Sequence, residues 1–133
     1  MVVVDGQGVP LGNHLDCASP AEVKLVQKTL AQVQVPGRKL RRLIADRAYD
    51  SDPLRKQLQA CDIQLICPHR RNRSKPPTQD GRPLRRYRKR WKVERTFAWL
   101  GNFRRLVVRY DRSLLMYNAF FHVACLIIAL RHL

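Results

Sequence analysis

Apolar and polar positions alternate in short blocks through the first half of the chain and in longer ones through the second. Val2-Val3-Val4 is an apolar run, Asp5-Gly6-Gln7-Gly8 has turn composition, and Val9 to Leu15 reads as a returning strand. The pattern predicts a β-hairpin. Ser19-Pro20-Ala21-Glu22 combines an N-cap serine, a proline at the first helical position and a capping-box glutamate. The helix that follows places Val23, Val26, Leu30 and Val33 on one face and ends at Pro36-Gly37. Leu40 to Ala45 predicts a short strand that stops at Asp46. Asp52-Pro53 opens a second helix with Leu54, Leu58 and Cys61 inward, and Ile63 to Cys67, bounded by Pro68, predicts another strand. On this reading Asp50 and Asp52 are loop and N-cap residues.

Residues 70–86 are polar, basic and rich in breakers, with Lys75-Pro76-Pro77 and Asp80-Gly81-Arg82-Pro83. They predict a mobile basic loop. From Tyr87 to Leu106, Trp91, Phe97, Leu100, Phe103 and Leu106 recur at spacings near three and four, the signature of an amphipathic helix. Tyr87, Arg90, Glu94, Ala98 and Gly101 stack along its other side. Leu114 to Leu130 is almost wholly apolar and approaches the ~20 residues a membrane span needs. Asn118 and His122 interrupt it one turn apart, which favours a buried helix and no membrane. The order strand, strand, helix, strand, helix, strand, loop, helix, helix is α/β, one domain over residues 1–133.

Composition narrows the function. An apolar content of 45% over 133 residues excludes a disordered basic tail. A net charge of +16 makes a polyanion the expected partner, although a structural nucleic-acid binder would carry the same charge. The four cysteines, Cys17, Cys61, Cys67 and Cys125, form no CxxC pair, and Cys61, Cys67 and His69 lack zinc-site spacing. They read as buried reduced thiols of a cytoplasmic protein without a signal peptide.

Glu94 is the lone acid among Arg85, Arg86, Arg88, Lys89, Arg90, Lys92 and Arg95. By itself it is either an ion-pair partner for Arg90 or a metal ligand beside bound phosphate. The eight cations between Arg82 and Arg95, with Tyr87 and Trp91 interleaved, predict phosphate contact without base reading.

The order of these residues resembles a known family. Tyr87, two residues, Arg90, three residues and Glu94 form the signature of the DDE-type insertion-sequence transposases. Trp91-Lys92-Val93-Glu94-Arg95, Phe103-Arg104-Arg105-Leu106 and Leu43-Ile44-Ala45-Asp46-Arg47-Ala48-Tyr49-Asp50-Ser51 are similar to that family as well. Where the family continues with a lysine, this chain has Gly101.

The resemblance implies a ribonuclease H-like fold and metal-dependent cutting and joining of double-stranded DNA at insertion-sequence ends. Two Mg²⁺ or Mn²⁺ ions would be held by two aspartates and a glutamate. Asp46 matches the second aspartate and Glu94 the glutamate. Tyr87 and Arg90 match motif positions, and Arg85, Arg86, Arg88, Arg104 and Arg105 are expected on DNA. No residue here matches the first aspartate, which the fold carries on a central strand ahead of the hairpin. The chain is therefore expected to be the C-terminal part of the catalytic domain, inactive alone, self-associating or joining its missing N-terminal part. The alternative is a non-catalytic basic nucleic-acid-binding protein.

Overall fold

The computed structural model describes residues 1–16, 21–33, 35–79 and 81–132. The hairpin forms as β1 (Val2–Val4) and β2 (Pro10–Asn13), antiparallel with Val2 opposite Asn13. β2 is shorter than the pattern suggested. Its turn is closed by Asp5, whose Oδ1 accepts from the amides of Gln7 (2.7 Å) and Val9 (2.9 Å), the self-capping that aspartate offers a turn.

Helix α1 (Glu22–Ala31) follows. The expected Ser19-Pro20 cap lies outside the described residues. The Glu22 carboxylate accepts from the Tyr49 hydroxyl at 2.8 Å. The helix buries Leu25, Val26 and Thr29, a face turned slightly from the predicted one, with Val23 and Leu30 half-buried. Thr29 tolerates burial because its hydroxyl donates to the Leu25 carbonyl (2.9 Å).

β3 (Arg42–Ile44) and β4 (Gln64–Ile66) pair in parallel, Leu43 opposite Leu65, with helix α2 (Asp52–Ala60) connecting them. Leu54 and Leu58 point inward as predicted, but Cys61 lies past the helix end and is exposed. Val26, Leu54, Leu58, Leu65 and Cys67 form one core, each large side chain contributing about 1.5–3 kcal/mol by burial. Burial pushes the Cys67 thiol up to about 11, so it stays protonated at neutral pH. Cys17 lies outside the described residues, and Cys125 is half-buried.

The basic stretch after β4 is a loop to residue 79, and ion pairs attach it to the body. Arg73 reaches both Asp50 and Asp52, and Lys75 pairs with Asp52 at 3.0 Å. The Gln79 side-chain amide donates to Leu65 O (2.6 Å) and accepts from Cys67 N (3.2 Å), covering the free edge of β4 as a strand would. Its end is helical: α3 (Gly81–Leu84) runs into a 3₁₀ turn over Arg85–Arg90.

The predicted helix from Tyr87 to Leu106 is broken. Only Trp91–Leu100 is α-helical (α4), and α5 (Arg104–Val107) starts after Phe103 adopts an extended backbone. The break lets Phe103 and Leu106 pack with Leu100 around helix α6 (Leu114–Leu130). Trp91 and Phe97, expected inside, are 50% and 52% exposed; Thr96 is buried instead.

The hairpin turn docks on α4. Lys92 and Arg95 donate to the carbonyls of Gly6 and Gln7, and the Thr96 hydroxyl donates to Gly8. Arg95 also stacks between Trp91 (4.8 Å) and Trp99 (4.7 Å). Gly8 has φ +87°, and a Cβ there would lie 3.2 Å from Lys92 O and Thr96 Oγ1, so the docking requires glycine.

Helix α6 has the predicted bounds but is not buried all round. Phe121, Ala124 and Ile128 face the core, while Leu115 is 77% exposed and Val123, Leu126 and Leu130 are more than half exposed. Among the described residues no helix is long and apolar enough to cross a membrane.

The molecule is thus mixed α/β with two separate two-stranded sheets. Between β1 and β3 lies a gap occupied by two cavities of about 350 and 270 Å³, walled by Val2 and Val3 on one side and Leu43 and Ile44 on the other.

Candidate active site and nucleic-acid interface

Asp46 stands where β3 ends. It caps the following 3₁₀ turn (Arg47–Tyr49), its Oδ1 accepting from the Arg47 amide at 2.6 Å. The same oxygen accepts from the Tyr87 hydroxyl at 3.2 Å, across 41 residues of sequence. Burial, with the Asp46 charge beside it, raises the Tyr87 pKa, so the phenol remains a donor.

One turn further on, Arg90 Nη2 holds Glu94 Oε1 at 2.5 Å, and the Arg90 guanidinium lies 5.8 Å from the Tyr87 ring centre. The helical spacing Tyr87, Arg90, Glu94 therefore converts to one continuous line: Asp46 to Tyr87, Tyr87 to Arg90, Arg90 to Glu94. Arg90 and Asp46 also wall the same cavity of about 270 Å³. Glu94 and Asp46 are both exposed.

Each acid has one oxygen committed, and its second, Oδ2 of Asp46 and Oε2 of Glu94, accepts no hydrogen bond from the described residues. No group of three His, Cys, Asp or Glu among the described residues would cage a metal ion. Two single carboxylate oxygens suit Mg²⁺, which keeps waters and takes phosphate oxygens alongside one or two carboxylates. Each acid by itself offers an oxygen donor of the kind such an ion takes beside phosphate and water.

The basic residues divide into two groups. Lys92 and Arg95 are held on the hairpin turn, Arg90 on Glu94, and Arg105 lies over Phe120 (4.5 Å) with Asp111 at 4.0 Å. Arg85, Arg86, Arg88 and Lys89 are exposed on the 3₁₀ turn, and no ion pair from the described residues reaches them. Arg104 is exposed on α5 and likewise has no ion pair among the described residues. Gly101 closes α4, with a notional Cβ 3.2 Å from Ala98 O, and offers no cation to the line of site residues.

Two features escaped the sequence reading. Glu22 walls the cavity beside Asp46, turned there by Tyr49; nothing in a capping-box pattern signals this. Asp50, read as a loop residue, has a side chain without solvent exposure, gripped by Arg55 and Arg73 at 2.9 Å each and by the Arg70 amide at 3.0 Å. Apolar Leu54 and Leu58 one turn away were the only local hint that it lies inside.

The chain matches the family model described as Transposase DDE domain over residues 1–129. It is 34% identical over 134 residues to the putative transposase for insertion sequence element IS402 of Burkholderia cepacia, covering 96% of this chain and 60% of that protein. It is 32% identical over 137 residues to the putative transposase for insertion sequence element IS6501 of Brucella ovis, covering 97% of this chain and 95% of that one. No solved structure matches the chain.

Proposed function

From a chain that belongs to the transposase DDE domain family, we propose a DNA-binding catalytic segment that takes part in cutting and joining insertion-sequence ends, with Asp46 and Glu94 as its metal-holding acids. The observation that carries the reading is the line Asp46–Tyr87–Arg90–Glu94, which joins a strand-end acid to a helix acid beside unpaired cations.

Asp46 and Glu94 would hold a divalent cation together with a phosphate of bound DNA. When bound, that cation supplies Lewis-acid activation of an attacking water or 3′-hydroxyl. Tyr87 fixes the Asp46 carboxylate by donating to Oδ1, which leaves Oδ2 turned to the ligand. Arg90 holds Glu94 through Oε1 and places positive charge where a phosphate sits. Arg85, Arg86, Arg88 and Lys89 position the DNA backbone, with Arg104 and Arg105 further along the chain on α5. A cytoplasmic location goes with this reading. In the ribonuclease H-like arrangement that the resemblance implies, a strand bearing a further aspartate stands between β1 and β3, and the gap there supports that reading. Two carboxylates do not fix two ions, so these 133 residues alone are expected to bind DNA and metal without nicking.

The test is a titration of Mn²⁺, read by its paramagnetic resonance, into the DNA complex of the wild type, Asp46→Ala and Glu94→Gln. Both substitutions are expected to weaken Mn²⁺ binding at least tenfold. Indistinguishable titrations would remove these acids from the site and leave a non-catalytic basic DNA binder.

A further inference from the structure

A second cluster of cations lies away from the helix that carries the site residues. Val35-Pro36-Gly37-Arg38 forms a tight turn, with Arg38 N donating to Val35 O at 3.2 Å and Gly37 at φ +70°. Proline at the second position and glycine at the third set this as a type II turn. It delivers Arg38, Lys39, Arg41 and Arg42 in quick succession, all exposed, just ahead of and into β3.

No ion pair or side-chain hydrogen bond from the described residues reaches any of the four. Among the described residues the acids that pair with lysine or arginine do so elsewhere: Asp16 with Lys28, Asp50 and Asp52 with Arg55, Arg73 and Lys75, Glu94 with Arg90, Asp111 with Arg105. Asp62 shares a cleft wall with Arg41 and Arg42 but pairs with neither. Four like charges within five residues, all without a counter-ion, repel one another unless a polyanion lies across them.

Arg42 connects this cluster to the other one. It walls one cleft with Arg38 and Lys39, another with Arg41, and a third with Arg86 and Lys89. Arg42 and Asp46 are the two ends of β3 and its exit, about 13 Å apart at ~3.3 Å per residue. That separation equals about four base-pair steps of a duplex.

We infer that Arg38, Lys39, Arg41 and Arg42 form a second phosphate-contacting track, continuous through Arg42 with Arg86 and Lys89, which grips duplex DNA on the flank of the phosphate at Asp46. This rests on the proposed DNA-binding function and deepens it. The 3₁₀ turn and the second track meet at Arg42 and grip the same duplex, each adding its own phosphate contacts to affinity and to counter-ion release.

The experiment measures duplex affinity against salt for the wild type, for Arg38→Gln/Lys39→Gln/Arg41→Gln and for Arg85→Gln/Arg86→Gln/Arg88→Gln, with thermal melting of each as a folding check. Each triple variant is expected to flatten the log–log slope by about 2.7, three contacts at ~0.9 each, with the melting temperature unchanged. A wild type that does not bind duplex would defeat the DNA-binding function itself. Flattening by the second triple but not the first would overturn the second track alone. Flattening by the first triple on single-stranded DNA but not on duplex would overturn the assignment to a duplex flank.

Discussion

Asp50→Ala destabilises the folded chain by about 3–5 kcal/mol, the cost of leaving buried charges without their partner. The Asp50 side chain has no exposure, and Arg55 and Arg73 are 16% and 12% exposed. Arg55 cannot turn to solvent to compensate, because it also donates to Leu65 O (3.2 Å) and Cys67 O (3.3 Å) at the end of β4. Arg73 and the Arg70 amide attach the basic stretch after β4 to the same carboxylate. Removing it frees that stretch and exposes the β4 edge beneath Gln79.

Burial pushes the Asp50 pKa up, but the Arg70 amide, Arg55 and Arg73 outweigh it and hold the carboxyl below its ordinary value. A depressed pKa contributes stability that is fully present above the unfolded value of about 3.9 and is lost as pH falls through the folded value. Urea unfolding of wild type and Asp50→Ala should therefore differ most at neutral pH and converge as the pH falls below the ordinary carboxylate range. A difference under about 1 kcal/mol at pH 7 would mean the clasp is a surface ion pair of the ordinary weak kind.

The wild-type chain loses about 10⁴-fold in duplex affinity between 50 and 200 mM salt. Eight cations on the two tracks have no ion pair among the described residues and carry this loss: Arg38, Lys39, Arg41, Arg42, Arg85, Arg86, Arg88 and Lys89. At ~0.9 per contact the log–log slope is about −7. Lys92 and Arg95 are left out because their side chains are already bound to Gly6 O and Gln7 O. Lys92→Gln/Arg95→Gln is accordingly expected to lower the melting temperature by undocking the hairpin, with the salt slope intact. A slope near −2 for the wild type, or one flattened by the Lys92/Arg95 pair, would place the binding face elsewhere.

The sequence showed the parts of the site that depend on local order and hid those that depend on distant partners. Asp46, Tyr87, Arg90 and Glu94 were singled out because their order resembles the family's motifs; the strand end at Asp46 and the helical spacing of the others were each open to an ordinary reading. The bounds of α6 followed from an uninterrupted apolar block, but its exposed side did not, since an apolar residue carries no mark of which face is covered. The Asp50 clasp draws on Arg55, Arg70 and Arg73, whose spacing matches no secondary-structure period, so no local pattern announces it. The basic run after Tyr87 looked uniform, yet Lys92 and Arg95 serve a hairpin more than 80 residues earlier. Arg38 to Arg42 went unnoticed as a surface because the stretch reads first as the approach to a strand.

In the proposed site Asp46 and Glu94 hold one metal ion against bound DNA. Fe²⁺ in place of Mg²⁺, with ascorbate and peroxide, generates hydroxyl radical at the ion and cuts the polypeptide chain beside its ligands. In the DNA complex, mass spectrometry of the fragments should locate cuts around residues 46 and 94, suppressed by excess Mg²⁺ and absent from Asp46→Ala/Glu94→Gln. Cuts clustered instead around Asp50 and Asp52, or an unchanged pattern in the double variant, would contradict the account.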